Sequence, residues 1–171
     1  MIYADPPWTY RKGTAVEPKQ DPGNNYPVLT VDQLYALPVK SVCALKAVLF
    51  LWTTAPLIAE GLKVMSGWGF EYKSQAVWNK DRLGMGYWWR GQHEILLVGT
   101  MGNHPCPKPS ARFGSVFTER STKHSKKPLI IRDAIEKMFP EAHRLELFAR
   151  DIHPGWISWG NEVDVFADDL I

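Results

Sequence analysis

Ile2-Tyr3-Ala4-Asp5-Pro6-Pro7-Trp8 joins a short apolar segment to a tetrad that cannot prolong it. Proline offers no N–H to a strand ladder, so the strand predicted over 2–4 must end at Asp5. Further along, Ala47-Val48-Leu49-Phe50-Leu51-Trp52 is a continuous apolar run, as expected of a strand covered on both faces. Between the two, Thr30-Val31-Asp32-Gln33 has the capping-box pattern and opens a short helix that stops before Pro38. After the second strand, Thr54 is expected to cap a helix with Pro56 in its first turn and its end at Gly67. Segments 70–78 and 94–98 read as strands, 115–118 as a weak one, and 145–148 as another. Pro128 opens a helix with Ile131, Ala134, Ile135 and Met138 on one face and Arg132, Asp133, Glu136 and Lys137 elsewhere, and Pro140 stops it. Strands separated by helices predict an α/β fold, a sheet with helices on both faces.

Composition agrees. The 171 residues, 45% hydrophobic and 22% charged, suit one domain (1–171) with one core and exclude a disordered tail or coiled coil. No apolar run is long enough to span a bilayer. The first residues carry no basic, signal-like segment, so a cytoplasmic location is expected. Two cysteines build no disulfide framework, and no paired His or Cys spacing points to a metal. A net charge of +2 does not by itself mark a nucleic-acid binder. Eight tryptophans are an unusual load for this length, and most are expected in the core. Segments 9–29, 79–92 and 99–127, rich in Gly, Pro and Asn, read as loops facing a substrate.

The tetrad has a chemical use. In open α/β sheets ligands sit beyond the carboxyl ends of strands, which is where Asp5 falls. Its carboxylate only accepts hydrogen bonds, and Pro6 and Pro7 present carbonyls without N–H donors. Trp8 adds a flat face. A planar group bearing an NH2 suits this set. Accepting both amine hydrogens frees the nitrogen lone pair and stabilises the positive charge that develops when that nitrogen attacks an electrophile.

The tetrad resembles motif IV of amino-methyltransferases, and the chain as a whole resembles the MT-A70 family of adenine-N6 methyltransferases. The likeness runs through Asn25-Tyr26-Pro27, Leu49-Phe50-Leu51-Trp52, Val77-Trp78-Asn79-Lys80, Gln92-His93-Glu94 and Leu97-Val98-Gly99. It continues through His124-Ser125-Lys126-Lys127-Pro128, Glu146-Leu147-Phe148-Ala149-Arg150 and Gly160-Asn161-Glu162. It implies a Rossmann-like S-adenosylmethionine methyltransferase fold with a mostly parallel sheet, and a permuted order in which the catalytic motif comes first. No Gly-x-Gly-x-x-Gly is present, and this family does not need one. It implies catalysis at Asp5, Pro6, Pro7 and Trp8. S-adenosylmethionine would be held by Asp5, Lys127, Glu146, Arg150, His153, Asn161 and Glu162, leaving S-adenosylhomocysteine as product. Lys127, before a helix N-terminus, would take the methionine carboxylate. Arg150 would reach the ribose. Asn161 and Glu162 stand where the family carries an Asn-Gln pair for the cofactor adenine, and His153 stands where some members carry Asn.

On the substrate side the resemblance places Tyr26 near the target adenine and Lys80, His93 and Glu94 close by. Tyr87-Trp88-Trp89-Arg90 interleaves aromatics with a base in a Gly-rich loop, suiting phosphate contact and base stacking, although Trp88 and Trp89 could equally fold back into the core. Lys108, Arg112, Arg120, Lys123, Lys126 and Lys127, with His124, form a local basic stretch relieved only by Glu119. The reading is methyl transfer to the N6 amine of adenine in DNA, of bacterial or phage type, with RNA as the alternative substrate. A catalytically silent nucleic-acid-binding partner of a methyltransferase pair, and an enzyme for free nucleosides or small amines, are the competing readings. A homodimer or a partner subunit would widen the binding surface.

Overall fold

The structure, a computed structural model, describes residues 1–9, 28–121 and 126–163. Its strands are β1 (Ile2–Ala4), β2 (Ala47–Thr54), β3 (Glu71–Asn79), β4 (His93–Met101), β5 (Val116–Thr118), β6 (Leu145–Leu147) and β7 (Ile157–Trp159). Its helices are α1 (Val31–Ala36), α2 (Ile58–Gly67) and α3 (Leu129–Met138). The strands form one sheet in the order β5-β3-β4-β2-β1-β6-β7. Only β4 runs against the rest, antiparallel to both β2 and β3. The sheet is therefore mostly parallel, as expected, with one reversed strand.

Pairing explains the central position of β1. It lies parallel to β2 on one side and to β6 on the other. The chain leaves β1 towards β2 and returns on its other flank as β6, so β1 lies at the switch point where ligands bind in such sheets. Its alternating side chains serve two cores. Ile2 and Ala4 join Leu49, Leu51, Val64 and Trp68 beneath α1 and α2. Tyr3 joins Phe50, Trp52, Ile131 and Ile135 beneath α3. Period-two alternation thus buries both faces, which a three-residue strand of three apolar residues requires.

Local signals held in some places and not in others. Thr30 closes the capping box with Gln33, its hydroxyl accepting from the Gln33 N–H while the Gln33 amide accepts from the Thr30 N–H. Thr54 does not cap a helix. It ends β2, and a 3-10 turn over Ala55–Leu57 precedes α2, whose N-cap residue Leu57 has no side-chain cap. Thr53 instead donates its hydroxyl to the Leu57 carbonyl at 3.0 Å, which absorbs one backbone acceptor of that turn. Two loop boundaries move as well. Asn79 pairs with His93 in the ladder, and residues 99–101 continue β4 because Gly99, Thr100 and Met101 pair with Leu49, Val48 and Ala47. Strand β5 lies inside the third loop segment, parallel to β3.

No helix among the described residues is long and apolar enough to cross a membrane.

Candidate functional site

The carboxyl ends of β1, β6 and β7 and the amino end of the reversed β4 lie along one sheet edge, and the site forms there. Asp5 follows β1 directly. The tetrad behind it is pinned in three places: Leu29 N–H donates to the Pro7 carbonyl at 2.9 Å, Trp8 N–H to the Pro6 carbonyl at 2.9 Å, and the Trp8 indole N–H to the Trp52 carbonyl at 3.0 Å. Two expectations change accordingly. The Pro6 and Pro7 carbonyls are not free acceptors, since each already takes one backbone donor, and only a second lone pair remains on each. Trp8, at 7% exposed, is a core residue packed beneath α1 and α2 and anchors the Pro-Pro segment from behind.

Asp5 carries the electrostatics. Its Oδ2 accepts from the Lys127 ammonium at 2.5 Å, and its Oδ1 has no hydrogen bond among the described residues. Lys127 also lies 3.4 Å from Glu94, and Glu94 accepts from Lys80 at 2.5 Å. Lys80–Glu94–Lys127–Asp5 is thus a chain of alternating charges running from the end of β3 through the start of β4 to the tetrad. Burial pushes the Asp5 carboxyl up from its ordinary value, with Lys127 opposing it only in part. Burial pushes Glu94 up too, but Lys127 and Lys80 more than offset this and hold it below the ordinary carboxylate range. Burial alone would lower Lys127, yet its two carboxylates raise it and keep it an ammonium. The Lys127 side chain also lies over the Trp52 ring at 5.4 Å. Lys127, expected as a free cation for a ligand carboxylate, is therefore first of all the partner of Asp5 and Glu94. An ammonium has three N–H groups, so one is left over for a ligand.

Beside Asp5 opens a cavity of about 280 Å³ lined by Lys127, Arg150, His153, Glu162 and Glu146, among others. Five residues assigned from sequence to the cofactor thus meet Asp5 around one space. Asn161 is exposed and does not line it. Arg150 and Glu162 face each other at 3.7 Å. Glu146 is buried and fully engaged: Arg132 donates to both its oxygens at 2.7 and 2.8 Å. Its role is to hold Arg132, whose guanidinium lies over Tyr3 and Trp156 at 5.1 and 4.9 Å. Arg132, placed from sequence off the apolar face of α3, is the residue that reasoning missed. The available signal was Glu146 itself, since a carboxylate on a buried strand requires a cation partner. Phe148, also on the cavity wall, sits at φ 63°, where the chain turns off β6 towards Arg150. The uncapped N-terminus of α3 reaches the cavity at Pro128 and Leu129.

Of the residues expected on the substrate side, Lys80 and Glu94 join the ion-pair chain that ends at Asp5, whereas His93 is exposed on β4. Trp88 and Trp89 do not fold into the core: they are 95% and 88% exposed. Arg90 donates to the Gly84 carbonyl at 3.0 Å and braces its own loop. Tyr26, Lys123 and His124 lie outside the described residues. The basic stretch is not one patch, because Lys127 turns into the site and Arg112 donates to the Pro107 carbonyl. A larger cavity of about 540 Å³ between the sheet and α3, near Phe113 and Met138, has Arg112 on its wall but none of Asp5, Lys80, Glu94 or Lys127, and is mainly apolar. Asp5, whose Oδ1 has no hydrogen bond among the described residues, makes the smaller, polar cavity the candidate functional site.

Comparison with known proteins gives the same direction. The family model described as MT-A70 matches residues 1–162. The chain is similar to a Type II methyltransferase, M.MunI, of Mycoplasma sp, with 35% identity over 95% of the chain and 77% of that relative. It is 30% identical to the N(6)-adenosine-methyltransferase catalytic subunit METTL3 of Homo sapiens over 96% of the chain, spanning 28% of that relative's length. A similar MT-A70-like protein of Arabidopsis thaliana shows 28% identity over 96% of the chain and 24% of its own length.

Proposed function

The chain belongs to the MT-A70 family, and from that premise and the site geometry we propose that it transfers a methyl group from S-adenosylmethionine to the N6 amine of adenine in DNA. The observation that carries the reading is Asp5: a carboxyl group at the end of β1, one oxygen held by Lys127 and the other without a hydrogen bond among the described residues, on the wall of a polar cavity. The higher identity to the Type II methyltransferase, and the larger share of it covered, support DNA over RNA.

The cavity's donor set fits the cofactor. Arg150, the third Lys127 N–H and the helix N-terminus at Pro128 and Leu129 suit a carboxylate, and the carboxylates of Asp5 and Glu162 suit amino groups. S-adenosylmethionine supplies an electrophilic methyl on a sulfonium. The chain's own residues do the rest. Asp5 Oδ1 accepts one hydrogen of the amine, and the second lone pair of the Pro6 carbonyl accepts the other. As the nitrogen turns tetrahedral and gains positive charge, Asp5 stabilises that charge in a site where little water screens it. Burial, which raises its pKa, fits Asp5 to take the surplus proton after transfer and pass it to water. Lys127 keeps the carboxylate ionised beforehand. Trp8 and Trp52 hold the segment still, and the loops 80–92 and 102–115 supply nucleic-acid surface.

The test is transfer of labelled methyl to DNA and to RNA by the intact chain and by Asp5→Ala. N6-methyladenine in DNA, lost in the variant with cofactor binding retained, is the expected result. Label in RNA alone would move the substrate. Label in neither polymer despite cofactor binding would favour a silent partner subunit and overturn the enzymatic reading.

A further inference from the structure

The loop between β3 and β4 is built as a rigid stem with an aromatic tip. At its base Lys80 N–H donates to the Gln92 carbonyl at 2.8 Å. Higher up, Gly84 N–H donates to the Gly91 carbonyl at 2.7 Å, Gly91 N–H to the Met85 carbonyl at 3.1 Å, and the Arg90 side chain closes on Gly84. Above this neck the backbone folds so tightly that a Cβ on Gly86 would fall 2.0 Å from the Trp89 carbonyl oxygen. Tyr87 and Trp88 are therefore the apex of a turn. They are 100% and 95% exposed, and Trp89 beside them 88%. Rings this bare contribute nothing to the core, and a cluster of them on a monomer signals something that covers them.

The position of the stem narrows what that is. Its two feet, Lys80 and Glu94, belong to the ion-pair chain that ends at Asp5. The tip is thus tethered to the Asp5 site, with Trp88 at most about 32 Å of chain from Asn79, less than one turn of duplex DNA. Around the aromatics the loop carries Arg82 and Arg90, with Asp81 its only acid. A protein partner would be served by the aromatics alone, whereas cations beside them match a polyanion.

An adenine stacked in a duplex cannot reach Asp5, because its amine lies inside the helix. It must leave the stack, and the gap it leaves loses stacking and pairing. We propose that Trp88, backed by Tyr87 and Trp89, is a wedge that enters duplex DNA at the target and fills the space left by the extruded adenine. This rests on the reading of the chain as an adenine methyltransferase, and it specifies duplex DNA as the substrate form for which the loop is built. Apolar side chains driven between base steps are a general way to unstack and kink a duplex. Here the braced neck gives the wedge the stiffness a flexible loop lacks.

Two readouts test it on the intact chain. The first is the ratio of methyl transfer to native over heat-denatured DNA of random sequence, for the parent and for W88A/W89A. Since the rings touch no core, the variant should melt within a few degrees of the parent. The expected result is at least a tenfold fall in the ratio, partly restored by Trp88→Phe. The second needs no methyl transfer: relaxation of closed circular DNA by topoisomerase in the presence of protein, in which an inserted ring unwinds the duplex and leaves a shifted topoisomer distribution. The parent should unwind and W88A/W89A should not. Equal loss of transfer on both DNA forms with unchanged unwinding would overturn the wedge in favour of plain strand contact. A variant whose only change is dissociation of an oligomer on sedimentation would make the tip a protein interface and also overturn it. If the parent transfers no methyl at all, the functional reading fails, while unwinding still decides the wedge.

Discussion

Glu146→Gln is the most direct test of how the cavity floor is held. In the parent both oxygens of Glu146 accept from Arg132, and each side chain is only 10% exposed. Arg132 has no other carboxylate partner among the described residues, and it lies over the Tyr3 and Trp156 rings. The amide keeps the shape of the carboxylate but sets an NH2 against a guanidinium N–H and leaves a buried cation without its counter-charge. Removing one partner of a buried pair costs about 3–5 kcal/mol. The retained amide oxygen places this change near the lower end, about 3 kcal/mol, a large share of the roughly 5–15 kcal/mol typical of a domain. For a chain of this size that lowers the Tm by roughly 6–12 °C. The assay is urea unfolding followed by tryptophan fluorescence, since Trp156 reports from beside the pair, with thermal unfolding in parallel. The double variant R132M/E146L, which replaces the pair by apolar groups, should recover most of the loss. A cost below about 1 kcal/mol for Glu146→Gln, or a double variant no better than the single, would refute the reasoning. A variant of unchanged stability but weakened S-adenosylmethionine binding would return Glu146 to direct ligand contact.

Three further outcomes follow from the same site. Lys127→Met leaves the burial of Asp5 opposed only by the more weakly acting Arg150, so the acid limb of the kcat profile should move to higher pH; an unmoved limb would remove Lys127 from the control of Asp5. Glu94, whose lowered pKa reflects its two lysines, stabilises the fold above the ordinary carboxylate value and loses that contribution as pH falls through the lowered one. Glu94→Gln should therefore reduce stability near neutrality and flatten its decline on the acid side, as read by urea midpoints across pH. Gly160→Ala puts a Cβ 2.1 Å from the Ala149 carbonyl oxygen and should force the Glu162 segment off the cavity rim, weakening cofactor binding at least tenfold by titration calorimetry.

Much of the site was legible because its chemistry is concentrated in short stretches. Asp5 could be placed at a strand end because two prolines must end a ladder, and Lys127 beside a helix start because Pro128 opens α3. Arg150 follows from the same logic at the end of β6. Partnership was not legible. Nothing local says that Lys127 spends two of its three donors on Asp5 and Glu94, 122 and 33 residues away in sequence. The exposure of Trp88 and Trp89 was also undecided, because composition is the same for a buried ring and a stacking one. A hydrogen-bonded neck, formed by residues on both sides of the loop, settled it.

From sequence alone come most of the elements, though not β7, together with the α/β class, the tetrad and the family, because these depend on backbone-limited residues and on periodicities within a few turns of chain. The reversal of β4, the burial of Trp8 behind the tetrad, the Arg132–Glu146 floor and the ion-pair chain from Lys80 to Asp5 needed the tertiary structure. The reason is physical: the worth of a charge or a ring is set by what surrounds it, and in this protein those surroundings come from strands far apart in the chain that meet only along one edge of the sheet.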